Sequence, residues 1–149
     1  MTSAVDSPGA PPAAASFQFR CRVYYEDTDA GGIVYYANYL KFMERARTEW
    51  LGHLGLEIVD LVEREGLLFA VRSVNMRYSR PARLNDRIVV TVEPTRIGGA
   101  SLDLDQHIYR DGELLTRGWV QLACLDTVTY KPRALPSSVH AKLNAWKMP

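Results

Sequence analysis

The chain has 149 residues, a formal net charge of +1, and a composition of 47% hydrophobic and 23% charged residues. These values predict a globular protein of one domain that buries its own core. A charge this close to zero gives no electrostatic reason to expect nucleic-acid binding or attachment to a membrane surface. The two cysteines and three histidines are scattered along the chain without the spacing of a metal or redox site, so no metal site is predicted.

The N-terminal segment over residues 1–16 is rich in proline and alanine, and it predicts a disordered leader ahead of a single domain over residues 17–149. This segment differs from a signal peptide, because no basic residue precedes Arg20 and no long apolar stretch follows. No run in the chain approaches the roughly 18 apolar residues that a membrane span requires. We therefore expect a cytoplasmic protein with no membrane span.

The first predicted element is a half-buried strand from Phe17 to Tyr25, where apolar and polar side chains alternate. A loop over residues 26–32 follows, with three carboxylates and two glycines, and such a loop is a favourable place to hold functional groups. From about Asn38 the apolar residues recur at spacings of three and four, which predicts one amphipathic helix of about four turns that reaches Gly52.

Strand patterns return after Gly66 and continue to about Tyr130. Asp111-Gly112 predicts a tight hairpin, and the middle of the last strand is apolar on both faces, which places this strand in the centre of the sheet. A short helix is predicted from Pro136 onward. One helix and a series of strands joined by tight turns predict an α+β fold, in which the helix packs against a curved antiparallel sheet of about five strands. The predicted strands after the helix cover residues 67–79, 87–97, 100–110 and 113–130.

Several known active sites are excluded because their motifs are absent. The chain has no G-x-S-x-G nucleophile elbow, no G-x-x-x-x-G-K phosphate loop and no G-x-G-x-x-G dinucleotide motif. Neither cysteine stands beside a group that would activate it as a nucleophile. The most distinctive segment that remains covers residues 24–51, YYEDTDAGGIVYYANYLKFMERARTEWL.

This segment resembles the signature of the 4-hydroxybenzoyl-CoA thioesterase family. Within that family it is most similar to the small acyl-CoA thioesterases associated with the bacterial Tol–Pal envelope system. The motif here runs from Asp27 to Tyr36 and continues through Asn38-Tyr39 and residues 44–47 (ERAR), and a weaker similarity covers most of residues 20–130. The pattern D-x-D-x-x-G-[IV]-V-Y ahead of an apolar helix is long and specific.

The resemblance implies a hotdog fold, in which a long central helix is wrapped by a curved antiparallel sheet, and homodimers or homotetramers with active sites between subunits. It also implies hydrolysis of an acyl-CoA to a free acid and coenzyme A, with coenzyme A as part of the substrate and no separate cofactor. In the family the second carboxylate of the motif is catalytic, and that position is Asp29 here. The backbone amide that polarises the thioester carbonyl corresponds to Tyr36.

The residues themselves fit this chemistry. The carboxylate of Asp29 can attack a thioester as a nucleophile or act as the general base for water. Unpaired amides at a helix N-terminus stabilise the oxyanion, and Gly32 allows backbone and substrate to approach closely. Arg96, beside the Gly98-Gly99 turn, is the favoured residue of a basic stretch whose side chains could meet the phosphates of coenzyme A.

Other interpretations stay open at this point. Asp29 can be a turn or capping residue, and the basic stretch that contains Arg96 can be a solvated sheet edge. Tyr36 replaces a histidine that is common in the Tol–Pal-associated group, which leaves the role of the amide intact but removes any histidine base. The alternative functions are hydrolysis of acyl groups carried on acyl carrier protein and a non-catalytic module that binds an acyl chain. The sequence does not identify the acyl group.

Overall fold

The computed structural model describes residues 16–147, so the predicted leader lies outside the described residues except at Ser16. In this range one long helix, two shorter helices and six strands confirm the predicted α+β class. The strands are β1 (Phe17–Arg22), β2 (Leu67–Tyr78), β3 (Arg87–Ile97), β4 (Ser101–Asp105), β5 (Ile108–Arg110) and β6 (Glu113–Asp126). The helices are α1 (Asn38–His53), α2 (Ile58–Asp60, continued by a π-helical turn over Leu61–Glu65) and α3 (Ser137–Lys147).

The six strands form one antiparallel sheet in the order β1-β3-β4-β6-β2, and β5 also lies between β3 and β6. The sequence predicts a single strand where the structure has β4 and β5, which are separated at Gln106 and His107. The Gln106 side chain is fully buried; its Nε2 donates to the carbonyl oxygen of Met43 at 2.9 Å, and its Oε1 accepts from Arg47 at 3.0 Å. These two bonds draw Gln106 toward α1, so the alternation of the strand stops there.

Helix α1 packs its apolar stripe against the sheet. Phe42, Met43, Ala46 and Trp50 are no more than 1% exposed, and their spacing is the one that predicted the helix. Burial of each large apolar side chain contributes roughly 1.5–3 kcal/mol. This packing stabilises the helix although Ala37, its N-cap residue, makes no side-chain capping bond. The predicted start at Asn38 is confirmed.

Strand β6 has neighbours on both sides, which confirms its predicted central position. Along most of its length its side chains alternate between buried and half-buried, so one face meets the core and the other is partly open. The strand ends at Asp126 and not near Tyr130 as predicted. The reason is a turn in which the Asp126 carboxylate accepts hydrogen bonds from the amides of Val128 and Thr129 at 2.8 and 3.0 Å.

The two edges of the sheet are β1 and β2. Strand β2 has 12 residues, and among the strands of residues 16–147 it pairs with β6 alone. Val71 and Val74 on this strand are 52% and 42% exposed. A long strand with a free edge and exposed β-branched residues is a surface on which another strand can pair.

Helix α3 confirms the short C-terminal helix that the sequence predicts from Pro136. It buries Val139 and Leu143 in the same core that receives α1. Between residues 16 and 147, no helix has both the length and the apolar composition that crossing a membrane would need.

Candidate active site

A tight turn over residues 28–34 holds Asp29. Thr28 and Val34 pair as an antiparallel bridge. The amide of Asp29 donates to the carbonyl of Ile33 at 2.9 Å, and the amide of Gly32 donates back to the carbonyl of Asp29 at 3.1 Å. Gly32 has a φ of +80°, which residues other than glycine rarely adopt, so the turn requires a glycine at this position.

The Asp29 carboxylate has two different oxygen environments. Oδ1 accepts the amide of Gly31 at 2.8 Å, so the turn-forming role considered from the sequence is present. Oδ2 accepts no hydrogen bond from any residue in the described range, and the side chain is exposed. One oxygen therefore anchors the turn, and the other is open to a substrate or a water molecule.

Asp27 joins this turn to α1. Its side chain is only 8% exposed, and its Oδ2 accepts the amide of Tyr24 at 2.8 Å. Its carbonyl oxygen accepts the side-chain amide of Asn38 at 2.8 Å and the backbone amide of Tyr35 at 3.1 Å. Because Asn38 is the first residue of α1, these bonds fix the helix N-terminus relative to Asp29. Asp27 is thus a buried residue of the turn.

The N-terminus of α1 presents unpaired amides. Asn38 and Leu40 donate from their backbone nitrogens to the carbonyls of Tyr35 and Ala37, at 2.8 and 3.3 Å. The amides of Tyr36 and Ala37 donate no hydrogen bond to any residue between 16 and 147. They lie at the positive end of the helix dipole, where negative charge is stabilised. The Tyr36 amide named from the sequence is therefore suited to receive an oxyanion.

A cleft of about 330 Å³ opens beside these amides, and its walls include Ile33, Tyr36, Tyr39, Tyr78 and Arg80. The Tyr78 hydroxyl donates to the carbonyl of Tyr36 at 3.4 Å, and its ring lies 5.2 Å from that of Tyr39. Burial raises the pKa of both Tyr39 and Tyr78, so both phenols stay protonated at neutral pH. Arg80 belongs to the basic stretch that the sequence offers for the phosphates of coenzyme A, whereas nothing in the sequence points to Tyr78, which is 42 residues from Tyr36 and lies in no local motif.

A second cleft, of about 440 Å³, lies between α1 and β2. Its lining includes Glu44, Thr48, Leu51, Phe69, Val71 and Leu122. The Thr48 hydroxyl donates to the Glu44 carboxylate at 2.8 Å, and the remaining walls are mainly apolar. Glu44 follows Asn38 by six residues, which places this cleft roughly 9 Å along the helix from its first residue.

Within one chain, Arg96 lies far from the turn that holds Asp29. The Asp29 turn lies beside the start of β3, because the amide of Leu84 donates to the carbonyl of Gly32 at 3.2 Å and Ile33 pairs with Arg83. Arg96 lies near the other end of β3, about 30 Å further along the strand at the usual rise per residue. Its side chain is exposed.

Two other kinds of site find no support. Burial raises the pKa of Cys21 to about 11 and also raises the pKa of Cys124, so both thiols stay protonated and are poor nucleophiles at neutral pH. Within residues 16–147, no three histidine, cysteine, aspartate or glutamate side chains lie close enough together to hold a metal ion.

The chain matches the family model described as the thioesterase superfamily over residues 31–116. It is 41% identical over 131 residues to the acyl-CoA thioesterase YbgC of Haemophilus influenzae, across 88% of this chain and 96% of that protein. It is 44% identical over 127 residues to the acyl-CoA thioester hydrolase YbgC of Escherichia coli O6:H1, across 85% of this chain and 94% of that protein. A crystal structure described as a probable thioesterase from Bartonella henselae has a TM-score of 0.78 and 35% identity, and the match covers 81% of this chain and 99% of that one. The hotdog architecture expected from the sequence is thereby confirmed.

Proposed function

Because the chain belongs to the thioesterase superfamily, we propose that it hydrolyses an acyl-CoA thioester with the carboxylate of Asp29 as nucleophile or general base. The chain is an enzyme, since relatives named as an acyl-CoA thioesterase and an acyl-CoA thioester hydrolase match it over 88% and 85% of its length. The role of Asp29 rests on one observation. An open carboxylate oxygen and two unpaired helix amides occupy the same short segment, and the buried Asp27 holds them together.

In the proposed reaction the thioester carbonyl oxygen accepts hydrogen bonds from the backbone amides of Tyr36 and Ala37. These dipoles stabilise the negative charge that develops on the oxygen when the carbonyl carbon is attacked. Asp29 Oδ2 either forms an anhydride with the acyl group, which water then hydrolyses, or takes a proton from the attacking water. In both routes the carbon–sulfur bond breaks, the coenzyme A thiolate leaves and is protonated, and a free acid remains. Gly32 borders open space, which leaves room for the substrate.

In this proposal the acyl chain occupies the second cleft, beside α1. A thioester held at the helix N-terminus would direct its acyl chain toward the cleft bounded by Leu51, Phe69 and Leu122. Apolar walls of this kind favour an aliphatic or aromatic acyl group over a polar one. Acyl groups on acyl carrier protein carry the same thioester, and that substrate stays a prediction from the sequence, as does the cytoplasmic location.

We also infer a homodimer or homotetramer. The free edge of β2, with its exposed Val71 and Val74, is a surface that a second copy of the chain would cover. Arg96 lies far from Asp29 along its own β3, so it can meet the phosphates of the same coenzyme A only if a second copy supplies it. The phosphate-binding role of Arg96 therefore depends on assembly.

The substitution Asp29→Asn tests the catalytic role. Asparagine keeps an oxygen that can accept the Gly31 amide, so the turn persists, but it is neither a nucleophile nor a base. If Asp29 is catalytic, kcat falls by roughly 10²–10⁴-fold, the loss typical of a positioned acid–base group. The thermal midpoint and circular dichroism spectrum stay unchanged. Release of coenzyme A is followed with a thiol reagent over a panel of acyl-CoA substrates.

Glu26→Gln is the matched control, because Glu26 is an exposed carboxylate in the same loop. Asp27 is unsuitable as a control, since its buried carboxylate holds the amide of Tyr24. An Asp29→Asn enzyme within about tenfold of wild-type kcat would contradict the proposed mechanism. An equal loss in Glu26→Gln would assign the effect to loop charge and not to a reacting carboxylate.

A further inference from the structure

Three arginines share one face of the sheet near its β1 edge. Arg22 of β1 lies directly opposite Arg87 of β3. Arg20 lies two residues along β1, opposite Val89, and its side chain therefore projects from the same face. The three arginines and Gln18 line a cleft of about 510 Å³, which we call the arginine cleft.

The positive charge of the arginine cleft is not neutralised by carboxylates. Arg20 donates to the side-chain oxygen of Gln18 at 3.3 Å, and Arg22 donates to that of Asn85 at 3.2 Å, so both acceptors are neutral. None of the three arginines forms a salt bridge with any residue between 16 and 147. Asp111 is the single carboxylate among the described residues that line the cleft.

Arg110 on β5 provides the contrast. It forms salt bridges with Asp86 at 2.7 Å and with Glu113 at 3.0 Å, so the same sheet supplies carboxylates where a structural arginine needs them. Two like charges directly opposite each other on neighbouring strands destabilise a sheet. The pair of Arg22 and Arg87 therefore costs stability unless an anion lies between the guanidinium groups.

We propose that the arginine cleft binds a multivalent phosphate anion, such as the diphosphate of a nucleotide. Guanidinium groups donate paired hydrogen bonds to phosphate oxygens, which makes arginine well suited to this ligand. A diphosphate carries enough oxygens to engage three guanidinium groups at once. The volume of the cleft falls within the range of small-molecule sites, roughly 300–1,000 Å³.

The arginine cleft is separate from the Asp29 turn, but both contact the segment Leu84-Asn85 that precedes β3. Arg22 bonds to Asn85, and the neighbouring Leu84 donates its amide to the carbonyl of Gly32 at 3.2 Å. The diphosphate can therefore belong to the coenzyme A of the substrate or to a separate nucleotide. The first source rests on the proposed function, whereas anion binding in the cleft does not.

Calorimetric titration with pyrophosphate at fixed ionic strength tests the proposal. We expect saturable binding with one site per chain. Arg20→Gln and Arg87→Gln should each weaken it by at least roughly tenfold, the effect of one lost charge-assisted hydrogen bond. Arg64→Gln is the matched control, because Arg64 is an exposed arginine on a different element, ion-paired with Asp60, and its removal should leave the affinity unchanged.

Thermal unfolding supplies a second readout. Without pyrophosphate, Arg87→Gln should raise Tm, since the like-charge pair with Arg22 is removed. At one pyrophosphate concentration, the Tm of the wild type should rise by more than that of the variant. Three results would overturn the proposal: heats that do not saturate, heats that chloride reproduces at equal ionic strength, or pyrophosphate affinities of both cleft variants that equal the wild-type affinity.

The source of the diphosphate follows from a titration with free coenzyme A. If pyrophosphate displaces coenzyme A and Arg20→Gln weakens coenzyme A binding, the cleft holds the diphosphate of the substrate. If coenzyme A binds independently while pyrophosphate still fills the cleft, the ligand is a separate nucleotide. Neither titration requires turnover, so a failure of the role assigned to Asp29 would leave both results readable.

Discussion

Gly118 of β6 packs against the backbone of Gln106 and against Met43 of α1, and Gly118→Ala is the substitution that this packing opposes most clearly. A Cβ at this position would stand 2.4 Å from the carbonyl oxygen of Gln106 and 2.8 Å from Cε of Met43, whereas ordinary contact begins at 3.4 Å. The methyl end of Met43 can move aside, but the Gln106 oxygen belongs to the backbone. Gly118 has no positive φ, so alanine there meets a steric barrier and no conformational one.

The size of the effect follows from these distances. The backbone of Gln106 must retreat by about 1 Å, and overpacking of a well-packed core costs about 1–3 kcal/mol. We place Gly118→Ala at the upper end of this range because a backbone atom and not a flexible side chain must move. Alanine also lowers the conformational entropy of the unfolded chain, and this stabilising effect offsets about 0.4–1 kcal/mol of the steric cost. The expected loss is about 2 kcal/mol, which lowers the thermal midpoint of a domain of this size by about 4–8 °C.

Urea and thermal unfolding at one protein concentration measure this loss, since assembly would make the midpoint depend on concentration. Gly99→Ala is the matched control. Gly99 also lacks a positive φ, and apart from its chain neighbours no described residue has an atom within 4 Å of a Cβ placed there. If Gly118→Ala and Gly99→Ala unfold within about 0.5 kcal/mol of each other, the steric reasoning is wrong.

Two further predictions concern pH and assembly. Burial lowers the pKa of His107, against a smaller opposing effect of Asp105, so the unfolded chain binds more protons and stability falls as the pH drops below about 6.5. His107→Gln should flatten this dependence in urea unfolding between about pH 5 and 7, and an unchanged slope would contradict it. Light scattering at micromolar concentration should give the mass of a dimer or tetramer, and a monomer would refute the role inferred for the β2 edge. A charged residue at the centre of that edge, Val74→Lys, should shift the mass toward the monomer.

Local patterns carried much of the fold. The helix from Asn38 and the positions of the long strands follow from the spacing of apolar residues, because one face of each element packs in the core and the other is more exposed. The interruption at Gln106 depends on bonds to Met43 and Arg47, which lie about sixty residues away in the sequence. No local pattern contains those partners, so the break between β4 and β5 could not be predicted.

Some residues of the candidate site are likewise marked by a local motif, whereas others depend on contacts between distant parts of the chain. Asp29 and the Tyr36 amide belong to one contiguous motif, and the sequence places them in a loop and at a helix start without tertiary information. Tyr78 reaches the cleft from β2, and its position depends on how the sheet folds over α1. The turn beside Arg96 favours this residue in the sequence, and only the length of β3 shows how far it lies from Asp29 in its own chain.

The hydrogen bonds of Asp27 bear on how the acyl preference of such a protein can change during evolution. The hydrogen bonds of Asp27 with described residues all fall between Tyr24 and Asn38, so a residue with no part in the proposed reaction holds the Asp29 turn against the unpaired amides. Donors fixed in this way need no reorientation as charge develops, and preorganised dipoles are worth more than mobile ones. If this short segment is the catalytic unit, as proposed, the walls contributed by β2 are free to vary. Such a chain can acquire a new acyl preference through those walls while the machinery that breaks the thioester stays in place.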